Sequence, residues 1–195
     1  MIHELRTYVL RPGQAMAYLE LFRTLGVARV THYLPMGGYW LTDSGRLNVI
    51  HHLWFYESLE ERAAARAAFA GDAIWNKEFV PAAFPLILSQ TNAMMRLERG
   101  SPEMEAAVAG RKTVCENQQP GEPAFAPGLL NLSSGQGGLP ERQGAEIAAW
   151  RVVSGDRPGR WVRLTRPAQM SQPPEPEGEP DWSELLRPLS LSPLR

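Results

Sequence analysis

The chain has 195 residues, 20 basic against 21 acidic, a formal net charge of -1 and a single cysteine, Cys115. This length makes one large domain or two small ones, and the balanced charge offers no positive field for a phosphate backbone, so nucleic acid is not an expected partner. One cysteine excludes an intrachain disulfide and fits a reducing, cytoplasmic setting; no basic leader and no apolar run of about twenty residues is seen, so neither signal peptide nor membrane span is expected.

Ile2 to Leu10 reads as an extended run closed by the turn signal Arg11-Pro12-Gly13. From Gln14 onward Met16, Leu19, Phe22 and Leu25 fall at helical spacing, broadened by Tyr18 and Leu21, until Gly26 weakens the pattern. Pro35-Met36-Gly37-Gly38 leads into a strand from Tyr39 to Thr42, which Asp43-Ser44-Gly45-Arg46 joins as a hairpin to a third strand, Leu47 to Tyr56. Ser58 with Glu61 three residues later has capping-box spacing ahead of a strong helix former, SLEERAAARAAFA. A second helical piece from about Ala73 precedes LILSQTNAMMRL, the fourth strand. The order β-α-β-β-α-β is that of a split, ferredoxin-like unit, whose uncovered sheet face calls for a second sheet.

Composition shifts after this unit. Residues 1–98 form the first unit, residues 99–126 read as a linker with a short helical possibility in EMEAAVAGRK, and residues 127–195 as a shortened, degenerate second unit. In the last, Gly128 to Ser134, Glu146 to Ser154 and Arg160 to Thr165 are extended, SQPPEPEGEP is a Pro/Glu tract, and DWSELL is a short capped helix with an extended tail.

Side chains alternate across a strand, so Glu4, Arg6 and Tyr8 share one face of the first strand, and Asn48, His52, Trp54 and Tyr56 share one face of the third. With the apolar opposite faces placed beneath the helices, these polar faces turn to the uncovered side of the sheet, toward the second sheet that closes it, joined by Trp40 and Thr42 and, from the last strand, by Gln90 and Asn92. Apolar walls with a few convergent polar groups are the makeup of a small-molecule pocket. Arg6 can hold a carboxylate or enolate oxygen, His52 can move a proton near neutral pH, and Glu4 can orient either; these three are the catalytic candidates. Tyr8, Trp40, Asn48, Trp54, Tyr56 and Gln90 are the ligand-binding candidates. No metal site is expected, because His51 and His52 are adjacent and face opposite sides of a strand, and no cofactor motif accompanies them.

The pieces IHELRTYVLRPG, YLELF, GYWLTDSGRLNVIHHLWFYESLEER and SQTNAMMRL, spanning roughly residues 1–98, resemble the NIPSNAP family of the dimeric α/β-barrel superfamily. The resemblance implies an α+β fold in which ferredoxin-like units with antiparallel sheets form a barrel, through a homodimer or through paired repeats in one chain. It delivers no activity, since relatives in the wider superfamily include cofactor-free monooxygenases, haem-dependent enzymes and muconolactone isomerase-like enzymes. The expectation is a protein that binds a small molecule in the barrel and acts without a cofactor on a carbonyl or aromatic compound. The alternative is a non-catalytic interaction or scaffold protein with a filled barrel.

Overall fold

The computed structural model describes residues 1–142, 145–167 and 180–195; most of the Pro/Glu tract lies outside the described residues. In chain order the elements are β1 (Ile2–Leu10), α1 (Ala15–Leu21), α2 (Val27–Tyr33), β2 (Met36–Ser44), β3 (Val49–Tyr56), α3 (Leu59–Ala70), α4 (Val80–Ala83), β4 (Ile87–Gly100), α5 (Pro102–Ala109), β5 (Leu130–Gly135), β6 (Ala145–Gly155), β7 (Trp161–Arg166) and β8 (Pro180–Pro188). The strands close an antiparallel barrel in the order β1-β3-β2-β8-β5-β7-β6-β4. Each half of the chain supplies four neighbouring strands in the same relative order, β4-β1-β3-β2 and β8-β5-β7-β6, sealed by β2 with β8 and by β4 with β6. Both edges of each sheet are therefore paired within one chain, and the expectation of a homodimer loses the unpaired sheet on which it rested.

Two local readings are corrected. The run DWSELL is strand rather than helix: β8 pairs with β2 and β5 at once, and Trp182, Glu184 and Leu186 alternate with the outward Asp181, Ser183 and Leu185. The first helix does not fade at Gly26 but continues to Tyr33 through a π-helical turn, Phe22–Gly26. Before that turn Tyr18 and Leu19 pack inward and Met16 is exposed; the extra residue rotates the stripe beyond it, so that Leu25 is exposed and Val27 and Val30 pack inward with Phe22. A Cβ on Gly26 would sit 2.9 Å from the Phe79 ring, so glycine here serves close packing rather than helix termination. The third helix keeps its expected start, with Ser58 Oγ accepting from the Glu61 amide at 3.2 Å.

The core has two compartments. Inside the barrel lie Leu5, Trp40, Leu53, Phe55, Met95, Leu132, Trp150 and Val162. Between the first sheet and α1, α2 and α4 lie Tyr8, Tyr18, Phe22, Tyr39, Ile50, Trp54, Tyr56 and Phe79. The interior is packed with side chains, and one end is plugged by Met104 and Ala107 of α5 and by Leu194, whose carbonyl accepts from the Trp40 indole at 2.8 Å. Residues 113–126 run along α1 and α2, held by Arg23, which donates to Gln118 Oε1 at 2.6 Å and to the Glu122 carbonyl at 2.8 Å.

Candidate functional site

The register of β1 against its two neighbours builds the site: Arg6 lies opposite His52 on β3 and Asn92 on β4, and Glu4 lies opposite Trp54 and Met94. Opposed residues share a face, and this face looks toward the helices. The correction is therefore one of sides: Glu4, Arg6, Tyr8, His52, Trp54 and Tyr56 do not project into the barrel but lie between the sheet and the helical layer, while Leu5, Leu53 and Phe55 fill the interior. Both faces are buried, so apolar content alone does not tell inside from outside. The carboxylate decides it, because its partners come from α3.

Glu4 is fully buried and accepts from Arg62 Nε at 3.0 Å, Arg62 Nη2 at 2.9 Å, Arg66 Nη2 at 3.0 Å, Arg6 Nη1 at 3.1 Å and Asn92 Nδ2 at 2.9 Å. Burial alone would raise its pKa, but the Arg62 hydrogen bonds, the Arg66 charge, Asn92 and Arg6 outweigh it and hold Glu4 far below the usual carboxylate range. Three guanidiniums thus face one carboxylate, and the site keeps an excess of positive charge. Arg62 and Arg66 stand one helical turn apart on α3, which buries no residue completely and docks through these ion pairs together with the partly buried Ala65 and Phe69. Arg6 continues the network to Gln90 Oε1 at 3.2 Å and to the Tyr8 hydroxyl.

Beside this network His52 is enclosed by rings: Tyr39 stacks on it at 4.9 Å, and Tyr8 meets it edge-on at 4.6 Å. The Trp54 indole donates to His52 Nδ1 at 2.7 Å, which places the proton of the neutral ring on Nε2. Burial, with the Arg6 and Arg66 charges behind it, pushes the His52 pKa well below its ordinary value. His52 is therefore a neutral hydrogen-bond donor, and the role of proton carrier near neutral pH does not fit it. Burial also pushes the Tyr56 phenol up to about 12.

Among the described residues, His52 Nε2, Arg6 Nε, Arg66 Nε and the Tyr56 hydroxyl are buried groups with no hydrogen-bond partner. His52 and Arg66 line a cavity of about 30 Å³ together with Tyr8, Tyr18, Tyr39, Trp54, Phe69, Trp75 and Phe84. A space of this size holds about one water molecule. Its helical wall is built by the turn Phe22–Gly26 and by a second π-helical turn, Trp75–Phe79, which pack on each other. Such turns frequently mark functional sites.

The structure brings together Glu4, Arg6, Tyr8, His52, Trp54, Tyr56, Gln90 and Asn92, but not Trp40, Thr42 or Asn48. The unbroken register from Leu41 opposite Ile50 to Gly38 opposite Leu53 sets Tyr39, not Trp40, opposite His52, so Trp40 and Thr42 face the barrel interior. Asn48 precedes β3 in a turn with φ 60°, a conformation asparagine tolerates, and its Oδ1 accepts from the Gly13 amide at 3.0 Å. Sequence reasoning missed Arg62 and Arg66, whose i, i+4 spacing opposite a buried glutamate was the available signal. It also missed a cluster of Thr7, His51 and Glu184 at the open end of the barrel, whose members lie far apart in the chain.

The model of the NIPSNAP family matches residues 3–102, just over half of the chain. Protein NipSnap homolog 3B of Mus musculus is 37% identical over 79 residues, 40% of this chain and 32% of that protein. Protein NipSnap homolog 3A of Homo sapiens is 31% identical over 98 residues, 50% of this chain and 39% of that protein. The match thus spans well under half of the length of these curated relatives. Among solved structures, a NIPSNAP family protein of unknown function from Agrobacterium tumefaciens is 35% identical, with a TM-score of 0.49, over 52% of this chain and 92% of that one. An anthrone oxidase-like protein is 8% identical with a TM-score of 0.51 over 96% of this chain and 90% of that one, a likeness of fold alone. From the first strand to the start of α5, the chain belongs to the NIPSNAP family.

Proposed function

We propose that the chain binds a small planar anion, an aromatic acid or the enolate or phenolate of a carbonyl or aromatic compound, in the cleft between its first sheet and its helices. The observation that carries the reading is the set of four unpartnered buried groups, His52 Nε2, Arg6 Nε, Arg66 Nε and the Tyr56 hydroxyl, with His52 and Arg66 lining a ring-walled cavity. An orphaned buried donor costs about 1–3 kcal/mol, and an acceptor oxygen from a ligand recovers that cost. The excess of guanidinium charge selects an anion, and Tyr8, Tyr18, Tyr39, Trp54 and Trp75 give a planar ring its walls.

The ligand enters by displacing the rings of the outer wall, of which Phe84 is 39% exposed. Once bound, arginine and the neutral His52 hold the developing oxyanion, the condition for cofactor-free chemistry on such compounds. One closed barrel suffices for this site, with no part assigned to a second copy, and the single half-buried Cys115 fits a reducing, cytoplasmic setting. The packed barrel interior is the observation that favours the alternative, a non-catalytic protein acting through its surface.

Titration of the protein with salicylate, read by tryptophan fluorescence, tests the proposal. Saturable quenching that weakens at least about tenfold in Arg66→Met is expected. No saturation at millimolar salicylate, or equal binding by wild type, Arg66→Met and His52→Phe, would overturn the proposal and leave the surface reading.

A further inference from the structure

The open end of the barrel carries a second polar array, separate from the helix-covered cleft. Thr7 and His51 are directly opposed on β1 and β3, and Thr7 Oγ1 lies 3.0 Å from His51 Nδ1. His51 Nε2 lies 2.7 Å from Glu184 Oε2 on β8, across the intervening β2. Glu184 is held from the other side by Arg46, whose Nε donates to Oε1 at 2.6 Å and whose amide donates to the same oxygen at 3.2 Å. Trp182 lies parallel to the His51 ring, with centroids 6.2 Å apart, and the Arg46 guanidinium sits over Trp182.

Donor counting fixes the direction of these bonds. Burial opposes ionisation of Glu184, yet the His51 and Arg46 hydrogen bonds hold its pKa down at about 2, so it is a carboxylate and only accepts. His51 Nε2 must then carry a proton. In the neutral ring Nδ1 is left as an acceptor, and the partner it faces is the Thr7 hydroxyl. The array therefore runs from carboxylate to imidazole to hydroxyl, with every proton placed to draw the Thr7 proton toward His51.

Thr7 is also the reachable end of the array. His51 and Glu184 are buried, whereas Thr7 is partly exposed and lines a cavity of about 40 Å³ at the barrel mouth. Thr91 and Ser134 bring hydroxyls to the same cavity, and Arg46 and Arg157, each about half exposed, lie at its rim. A space this small takes a short acyl group and little more. Arg46 bonds Glu184, and Arg157 lies 3.9 Å from Asp156, which also lines the cavity; the half-exposed remainder of each guanidinium suits a leaving group that departs as an anion.

We infer that Thr7, His51 and Glu184 form an acyl-transfer site that takes short-chain acyl esters with an anionic leaving group. In the first step the Thr7 Oγ–acyl carbon bond forms, the ester C–O bond breaks, the leaving group departs as an anion, and the Thr7 proton passes to His51 Nδ1 and on to solvent. Water then attacks acyl-Thr7, gives a proton to His51, releases the carboxylic acid, and Thr7 recovers its proton. Thr7 is the nucleophile, His51 the base, and Glu184 a positioning residue that keeps the His51 tautomer.

The test uses the full chain and p-nitrophenyl acetate, following p-nitrophenolate release and locating acetyl groups by peptide mass spectrometry. Wild type and Thr7→Ser are expected to carry one acetyl group on residue 7, and Thr7→Val, near-isosteric with threonine, to lose residue-7 acylation and at least about a hundredfold in rate. His51→Gln is expected to match Thr7→Val, and Glu184→Gln to lower kcat with little change in KM. Circular dichroism of each variant separates loss of chemistry from loss of fold, and Thr7→Val keeps the test decisive if His51→Gln does not fold. Acetylation of lysine or tyrosine alone, release from folded Thr7→Val at the wild-type rate, or an unreactive folded wild type would each overturn the inference.

Discussion

Replacing Glu4 by glutamine removes a fully buried carboxylate that accepts five hydrogen bonds from three arginines and one asparagine. Breaking a buried ion pair from one side costs about 3–5 kcal/mol, because the partner charges are left uncompensated. Here the side chains of Arg6, Arg62 and Arg66 are 18%, 24% and 24% exposed, so water offsets part of that loss and the lower end applies, about 3 kcal/mol. For a chain of this size that corresponds to a fall in Tm of about 6–12 °C. The sign of the pH dependence follows from the depressed pKa of Glu4 in the fold. Its stabilisation is complete above the unfolded carboxylate value of about 4.3 and is lost as pH falls through the folded value. Thermal melts of wild type and Glu4→Gln at pH 7 and pH 3 should show a gap that narrows in acid. A difference below about 0.5 kcal/mol at pH 7, or a gap independent of pH, would refute the reasoning.

Other consequences can be checked in the same material. Burial, aided by the nearby N-terminal amine, lowers the His3 pKa to about 4, and His52 shifts the same way, so the unfolded chain binds protons that the folded chain does not. Stability should therefore fall on going from pH 7 to pH 5 by about 2 kcal/mol for His3 alone, with His52 adding to it; urea curves that superimpose at the two pH values would contradict this. Trp150→Phe removes the indole donor that His3 Nδ1 accepts from at 2.8 Å, and chemical denaturation should show a loss of about 1–3 kcal/mol. At Gly155, with φ +92°, an added Cβ would fall 2.3 Å from the Asn92 carbonyl oxygen, so Gly155→Ala should cost about 3 kcal/mol or more or fail to fold; near-wild-type melting would exclude that contact.

The parts of this fold that sequence reveals are those where one local rule dominates. Alternation marks β1 and β3, and Ser58 with Glu61 marks the start of α3, because those signals lie within a few residues of each other. The reading of DWSELL as helix shows where local rules stop: as β8 it is fixed by pairing with β2 and β5, partners far away in the chain. The site was legible as a set of residues on one face of β1 and β3, since cross-strand pairing keeps Arg6 with His52. Its orientation was not, because a barrel wrapped by helices buries both faces of the first sheet. A single residue of register between β2 and β3 was enough to exchange Tyr39 for Trp40. The proton state of His52 also escaped sequence reasoning, because it depends on an indole two residues away along the same face and on complete enclosure by rings.

The central claim is that His52 is a neutral donor whose Nε2–H faces the ligand cleft. Nitrogen-15 NMR of the histidine rings, recorded between pH 5 and 9 with and without salicylate, tests it most directly. The account predicts an Nε2-protonated tautomer that does not titrate across this range, and an Nε2–H resonance that shifts as salicylate saturates the cleft. A His52 ring that titrates near 6.5, or a resonance unmoved at saturating salicylate, would contradict it.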